Sequence, residues 1–202
     1  IGAGKSALAR VLAGIAPADG AVVVAPRGPI GYVPEDPLLF SGTLRDNVAF
    51  GGSETNVEAA LAIAALAPDV AGFADGARTA IGERGVRVSG GQRQRIAIAR
   101  ALAAFAPRWP SLIVLDDPFA SVDLPTENLI VERLRAFVGP GAPPDRRATL
   151  VVFSHRFHTL ARADRVLVVD EGRVVADGTH ASLLQTSPLY ARLARAAAVE
   201  EG

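Results

Sequence analysis

The chain contains neither cysteine nor methionine, and only 5% of its residues are aromatic. Without cysteine, neither a disulfide framework nor a thiolate metal site can form. No apolar run approaches the roughly 18 residues that a membrane span needs, so membrane contact would have to come from a partner or from further sequence. No sign of charge prevails, since 21 basic residues face 21 acidic ones. That argues against a nucleic-acid surface, which would show as a basic excess. Lysine is nearly missing as well: Lys5 is the single lysine among the 21 basic residues. Lysine is a compact point charge and arginine a planar fork, so a chain that otherwise uses arginine keeps the point charge at one place. The 202 residues open on Ile1, and with no methionine they are expected to be a fragment.

Half of the residues are apolar, enough for one sizeable core and a single α/β domain. Residues 7–14 read as a helix closed by a glycine. Residues 21–25 and 30–33 are short β-rich runs split by Pro26, Gly28 and Pro29. Residues 44–50 and 57–67 have helical character, and a helix opens near Ser89. Residues 112–115 and 149–153 are uninterrupted apolar runs, the pattern of strands buried on both faces of a parallel sheet. A helical crossover over 125–138 joins them. Residues 165–176 read as a β-hairpin turning at Glu171-Gly172, and 183–199 as a closing amphipathic helix. A mostly helical stretch, about 36–100, interrupts the alternation of strands and helices.

Three segments carry chemistry. Gly4-Lys5-Ser6 leads into a helix and matches the second half of a P-loop, G-x-x-x-x-G-K-[ST]. There, backbone amides cradle phosphates, the lysine reaches the β and γ phosphates and the hydroxyl ligates Mg²⁺; the helix N-terminus adds its dipole. The first glycine of the motif would precede Ile1. Leu112-Ile-Val-Leu115 followed by Asp116-Asp117 places two carboxylates at the carboxyl end of a buried strand, where open α/β sheets bind ligands. Asp116 suits the Walker B role of holding Mg²⁺. In Val88-Ser89-Gly90-Gly91-Gln92-Arg93-Gln94-Arg95, Ser89 and Gln92 have the spacing of a capping box. Two glycines in its first turn cost about 1 kcal/mol each relative to alanine, yet bare backbone at a helix start is what a phosphate needs.

This run resembles the signature motif of ABC ATPases, with Val88 where leucine is usual, and the resemblance extends over essentially the whole chain. The stretch from Tyr32 to Asn47 is similar to the Q-loop segment and following helix of exporter-type domains. Residues 79–85 resemble the loop that touches the transmembrane helices. Ala120-Ser-Val-Asp123 resembles the D-loop, and Ser154-His155-Arg156 the H-loop, whose histidine contacts the γ-phosphate. Ala163-Asp-Arg-Val-Leu-Val-Val-Asp170 and Asp177-Gly-Thr-His180 are similar to the family's C-terminal hairpin region, while His158 and His180 read as packing or surface residues.

The resemblance implies a P-loop NTPase (RecA-like) core with a mostly parallel sheet and the 36–100 stretch as an inserted helical subdomain, all of 1–202 forming one ABC ATP-binding domain. It implies ATP and Mg²⁺ as cofactors. Gly2, Gly4, Lys5, Ser6 and Ala7 would bind the phosphates, and Ser6, Glu35 and Asp116 the metal. Asp117, His155 and Glu35 would be catalytic. In a head-to-tail dimer, Ser89, Gly90, Gly91 and Gln92 would complete the nucleotide site of a second ABC ATPase domain, and Asp123 of the D-loop would be a further nucleotide-binding residue. The other implied partner is a transmembrane domain fused upstream, at the cytoplasmic face of the cell membrane.

Two positions depart from the family pattern: Asp117 stands where glutamate is usual and Glu35 where the Q-loop glutamine is usual. A general base contributes roughly 10²- to 10⁴-fold, so the shorter reach of aspartate points to slow turnover, as in the degenerate half of a heterodimeric exporter. Two other readings remain: an ATP-dependent dimerisation switch with negligible hydrolysis, and a soluble ABC ATPase outside transport.

Overall fold

The computed structural model describes residues 4–18, 28–82, 85–139, 141–144 and 147–200. The strand expected at 21–25, Gly2 and the Glu83-Arg84 pair lie outside these residues.

Among the described residues, three parallel strands form the main sheet: β1 (Ile30–Val33), β4 (Leu112–Asp116) and β5 (Thr149–Phe153), with β4 in the middle. Every residue of β4 is buried, and its side chains alternate between two apolar layers. Ile113 and Leu115 join the large core, whereas Leu112 and Val114 meet Ala9 and Phe153 on the other face. An uninterrupted apolar run is thus what a strand covered on both sides requires. Ala9 belongs to helix α1 (Lys5–Leu12), which covers one face.

The other face carries the segment between β1 and β4. A two-residue antiparallel pair, β2 (Gly42–Thr43) with β3 (Ala80–Ile81), brackets helices α2 (Leu44–Ala49), α3 (Val57–Ile63) and α4 (Ala67–Gly72). Helix α5 (Gly90–Ala103) follows and buries Ile96, Ile98 and Leu102 in the large core. Helix α6 (Leu124–Val138) makes the crossover from β4 to β5 and adds Ile130, Val131 and Leu134. The helix expected over 57–67 is divided, because Ala65 takes a positive φ of 54° and the chain turns before α4.

After β5 come the short helix α7 (Phe157–Leu160) and the hairpin β6 (Val166–Asp170)–β7 (Arg173–Gly178). Its turn, Glu171-Gly172, has positive φ at both residues, the geometry that matches strand twist in a two-residue hairpin. The closing helix is two: α8 (His180–Thr186), capped by Thr179, and α9 (Pro188–Glu200). Pro188 has no N–H to continue α8. His180 packs as expected, its Nδ1 2.8 Å from the Tyr190 hydroxyl.

Candidate functional site: carboxylates at the strand ends and a bare helix start

Parallel strands send all their carboxyl ends to one edge. Val33 pairs with Leu115 and Asp116 with Phe153, so Glu35, Asp117 and His155 each follow a strand of this sheet at that edge. Asp116 is the last residue of β4 and only 4% exposed. Asp117 leaves the strand sharply: its N–H donates to the Phe153 carbonyl at 2.8 Å, and its φ is 44°. Aspartate enters this left-handed region more readily than most residues. The residue that shortens the reach of the side chain therefore also eases the backbone turn.

The Asp117 side chain faces two ways. Oδ2 lies 3.2 Å from His155 Nδ1, while Oδ1 is buried with no hydrogen-bond partner. Burial pushes the carboxyl above the ordinary carboxylate range; His155 and Arg156 oppose this, Asp116 adds to it, and Lys5 opposes it. Lys5 thus exerts its charge on Asp117 from the first turn of α1. The N-cap of α1 is Gly4, at φ 84°. His155 is 69% exposed at its side chain, so the imidazole stands at the open side of the pair. Glu35 is exposed two residues past β1.

The site's fitness for Mg²⁺ can be judged from these donors. Magnesium is usually held by one or two carboxylates together with substrate phosphates rather than by an all-protein cage. The buried Asp116 carboxylate and the orphaned Asp117 oxygen suit that arrangement. Among the described residues, no group of three or more potential ligands forms a preassembled cage.

The second element is the start of α5. The capping box is present: Ser89 Oγ accepts from the Gln92 N–H at 3.1 Å, and Gln92 Oε1 accepts from the Ser89 N–H at 2.8 Å. Gln92 Nε2 donates to Asp69 Oδ1, and Asp69 is clasped by Arg95 at 2.6 Å. The Gln92 side chain is thus engaged within the chain. The box uses the N–H groups of Ser89 and Gln92; the N–H groups of Gly90 and Gly91 stand between them at the positive end of the helix.

Both glycines also have a reason inside the chain. A Cβ on Gly91 would lie 2.6 Å from the Ser121 carbonyl oxygen, and one on Gly90 would lie 3.1 Å from the Ser121 side chain. Gln94 Oε1 accepts the Ser121 N–H at 2.9 Å. The turn 120–123 therefore rests directly on this helix start. At its end Asp123 caps α6, accepting the Thr126 N–H at 2.9 Å, and those bonds hold its exposed carboxyl below the ordinary range.

The structure thus brings Asp116, Asp117 and His155 together beside α1, and seats Ser89 to Gln92 against the 120–123 turn. Sequence reasoning missed Gln94 and Asp69, which lock that helix start. It also missed Arg156, whose contacts lie with residues 29 to 36 positions earlier.

Residues 1–120 match a family described as "ABC transporter". The chain is 38% identical over 208 residues to an "ATP-dependent lipid A-core flippase" of Burkholderia orbicola, covering 96% of this chain and 33% of that protein. It is 36% identical over 169 residues to a "putative export ATP-binding/permease protein" of Rickettsia conorii, covering 82% of this chain and 27% of the relative. Its fold is similar to that of a bacterial Atm1-family ABC exporter solved with ATP bound, at a TM-score of 0.78 and 33% identity, over 96% of this chain and 35% of the other. The chain therefore spans about a third or less of the proteins it matches.

Proposed function

Because the chain belongs to the ABC transporter family, as an ATP-binding ATPase domain with the P-loop NTPase fold, we propose that it powers an exporter by binding and hydrolysing ATP at a head-to-tail dimer interface. The observation that carries this reading is the joining of Asp117 and His155 at the carboxyl edge of the sheet, directly after the buried Asp116.

In this reading 1–202 is one domain, and the 36–100 stretch is its helical subdomain. Gly4, Lys5, Ser6 and Ala7 at the start of α1 take the phosphates, together with Gly2. Ser6, Asp116 and Glu35 would hold Mg²⁺. When bound, that ion neutralises charge on the transferred phosphoryl group. Asp117 orients the attacking water and takes its proton; His155 steadies Asp117 and faces the γ-phosphate. The N–H groups at Gly90 and Gly91, with Asp123, serve the nucleotide held by the opposing domain. The names of relatives, which join ATP-binding and permease parts or name a flippase, support a membrane domain as partner; in this reading it is fused upstream and the ATPase domain lies at the cytoplasmic face of the membrane.

The finer reading is that this site turns over slowly and that the partner is a different chain. It rests on Asp117, one methylene shorter than glutamate and already drawn to His155, and on Glu35. The experiment is Mg²⁺-ATP turnover by the complete protein, alone and with nucleotide binding measured in parallel, repeated with Asp117→Glu. Binding with little phosphate release, raised about tenfold or more by Asp117→Glu, is the expected result. Brisk turnover alone would show a working homodimer and sink the heterodimer reading. Binding and dimerisation with no turnover in any combination would make the chain an ATP-dependent switch.

A further inference from the structure

Arg156 follows His155 and acts on Asp117 by its charge, but its hydrogen bonds go elsewhere. Its Nη1 donates to the Val122 carbonyl at 3.0 Å and to Glu127 Oε2 at 2.5 Å, and its Nη2 reaches the Ala120 carbonyl at 3.5 Å. Glu127 is completely buried in the first turn of α6, and its other oxygen accepts from the Thr159 hydroxyl. A carboxylate so placed is tolerated only with its lone pairs satisfied, and Arg156 and Thr159 supply that. A plain staple between α6 and α7 would need the carboxylate alone. Here the same guanidinium also takes the two carbonyls that flank Ser121. Ser121 is the residue lying on the start of α5, through Gln94 and the close approach at Gly91.

One side chain thus joins three parts: the loop that carries His155, the 120–123 turn and, through Ser121, the Ser89-to-Gln92 helix start. We propose that Arg156 is a positioning residue for ATP turnover, holding the Asp117–His155 pair and the helix start that serves the opposing nucleotide as one unit. The inference rests on the functional reading above, since it needs a nucleotide on each side of this unit. Its reach is the whole assembly: whichever site turns over, either His155 or the helix start takes part in it.

The test uses the complete transporter with its partner domain. Arg156→Lys keeps a cation for Glu127, but an ammonium lacks the planar fork that reaches the carbonyls as well. The melting temperature should stay within about 3 °C and KM for ATP within about threefold, while kcat falls about tenfold to a hundredfold. Amide hydrogen exchange should rise at 120–123 and remain unchanged in β4. Arg156→Met leaves Glu127 unpaired and should also lower the melting temperature. Adding Glu127→Gln should restore that temperature without restoring kcat. Arg156→Lys with wild-type kcat and unchanged exchange at 120–123 would overturn the proposal, as would a kcat that follows thermal stability alone. If the wild-type assembly shows no turnover, the functional reading fails; exchange at 120–123 then decides separately whether Arg156 holds the turn.

Discussion

At the end of β4, Asp116 and Asp117 place charge in side chains held by a ladder of parallel strands; at the start of α5, Ser89 to Gln92 offer backbone N–H groups and almost no free side chain. The first arrangement depends on burial. Asp116 is nearly inaccessible and Asp117 has a buried orphaned oxygen, so their positions follow from how well β4 is packed. The second depends on clearance. Its glycines let the Ser121 carbonyl approach, and Gln92 and Asp69 brace it from behind. A site of side chains needs a rigid floor, whereas a site of backbone groups needs the absence of side chains.

The largest break in that contrast should come from the floor. Leu115 is fully buried one residue before Asp116. Leu115→Ala is expected to cost about 2–5 kcal/mol, read from the denaturant midpoint of the complete protein. A loss below about 1 kcal/mol would mean that the core under the strand end collapses easily and does not fix the carboxylates.

The next effect concerns clearance, and its sign is informative. In a helix without neighbours, Gly91→Ala would stabilise by about 1 kcal/mol. Against the Ser121 carbonyl, overpacking should outweigh this and destabilise by about 1–3 kcal/mol, with amide exchange rising across the 120–123 turn. An increase in melting temperature would show that the turn yields and that close approach is not why glycine stands there.

The smallest effect is at the brace. Burial pushes the Asp69 carboxyl up, but hydrogen bonds from Arg95 and Gln92 outweigh it and leave the group below its ordinary value. A lowered folded value means that its contribution is complete above the unfolded value, near pH 4, and fades as pH falls through the folded one. Asp69→Asn should therefore cost about 1–2 kcal/mol, evenly between pH 5 and pH 8, with the gap to wild type closing in strong acid. A gap that widens towards acid would refute the assignment of the Arg95 pair.

Local patterns were legible wherever neighbours in sequence are also neighbours in space. The Ser89–Gln92 box, the buried β4 run and the Glu171-Gly172 hairpin turn needed only spacing, and all three formed. The boundaries that differed were set by contacts over distance or by single backbone choices. Ala65 turns at positive φ and splits one expected helix, and Pro188 begins a new helix where one continuous helix was expected. Arg156 was visible beside His155, but nothing in spacing could tell that its guanidinium meets Glu127 and the Val122 carbonyl.

The amino-acid sequence by itself determined the class of the molecule and the chemistry it carries. Periodicity reports which strands are covered on both faces, and motif spacing reports the family to which the chain belongs. Tertiary structure alone decided how those groups are held. The left-handed turn that aims Asp117 at His155, the Ser121 carbonyl that demands glycine at position 91, and the Arg156 fork all join residues far apart along the chain. Such contacts exist only once the strands have paired and the helices have packed, because short-range propensity does not encode the distance between segments that the fold brings together.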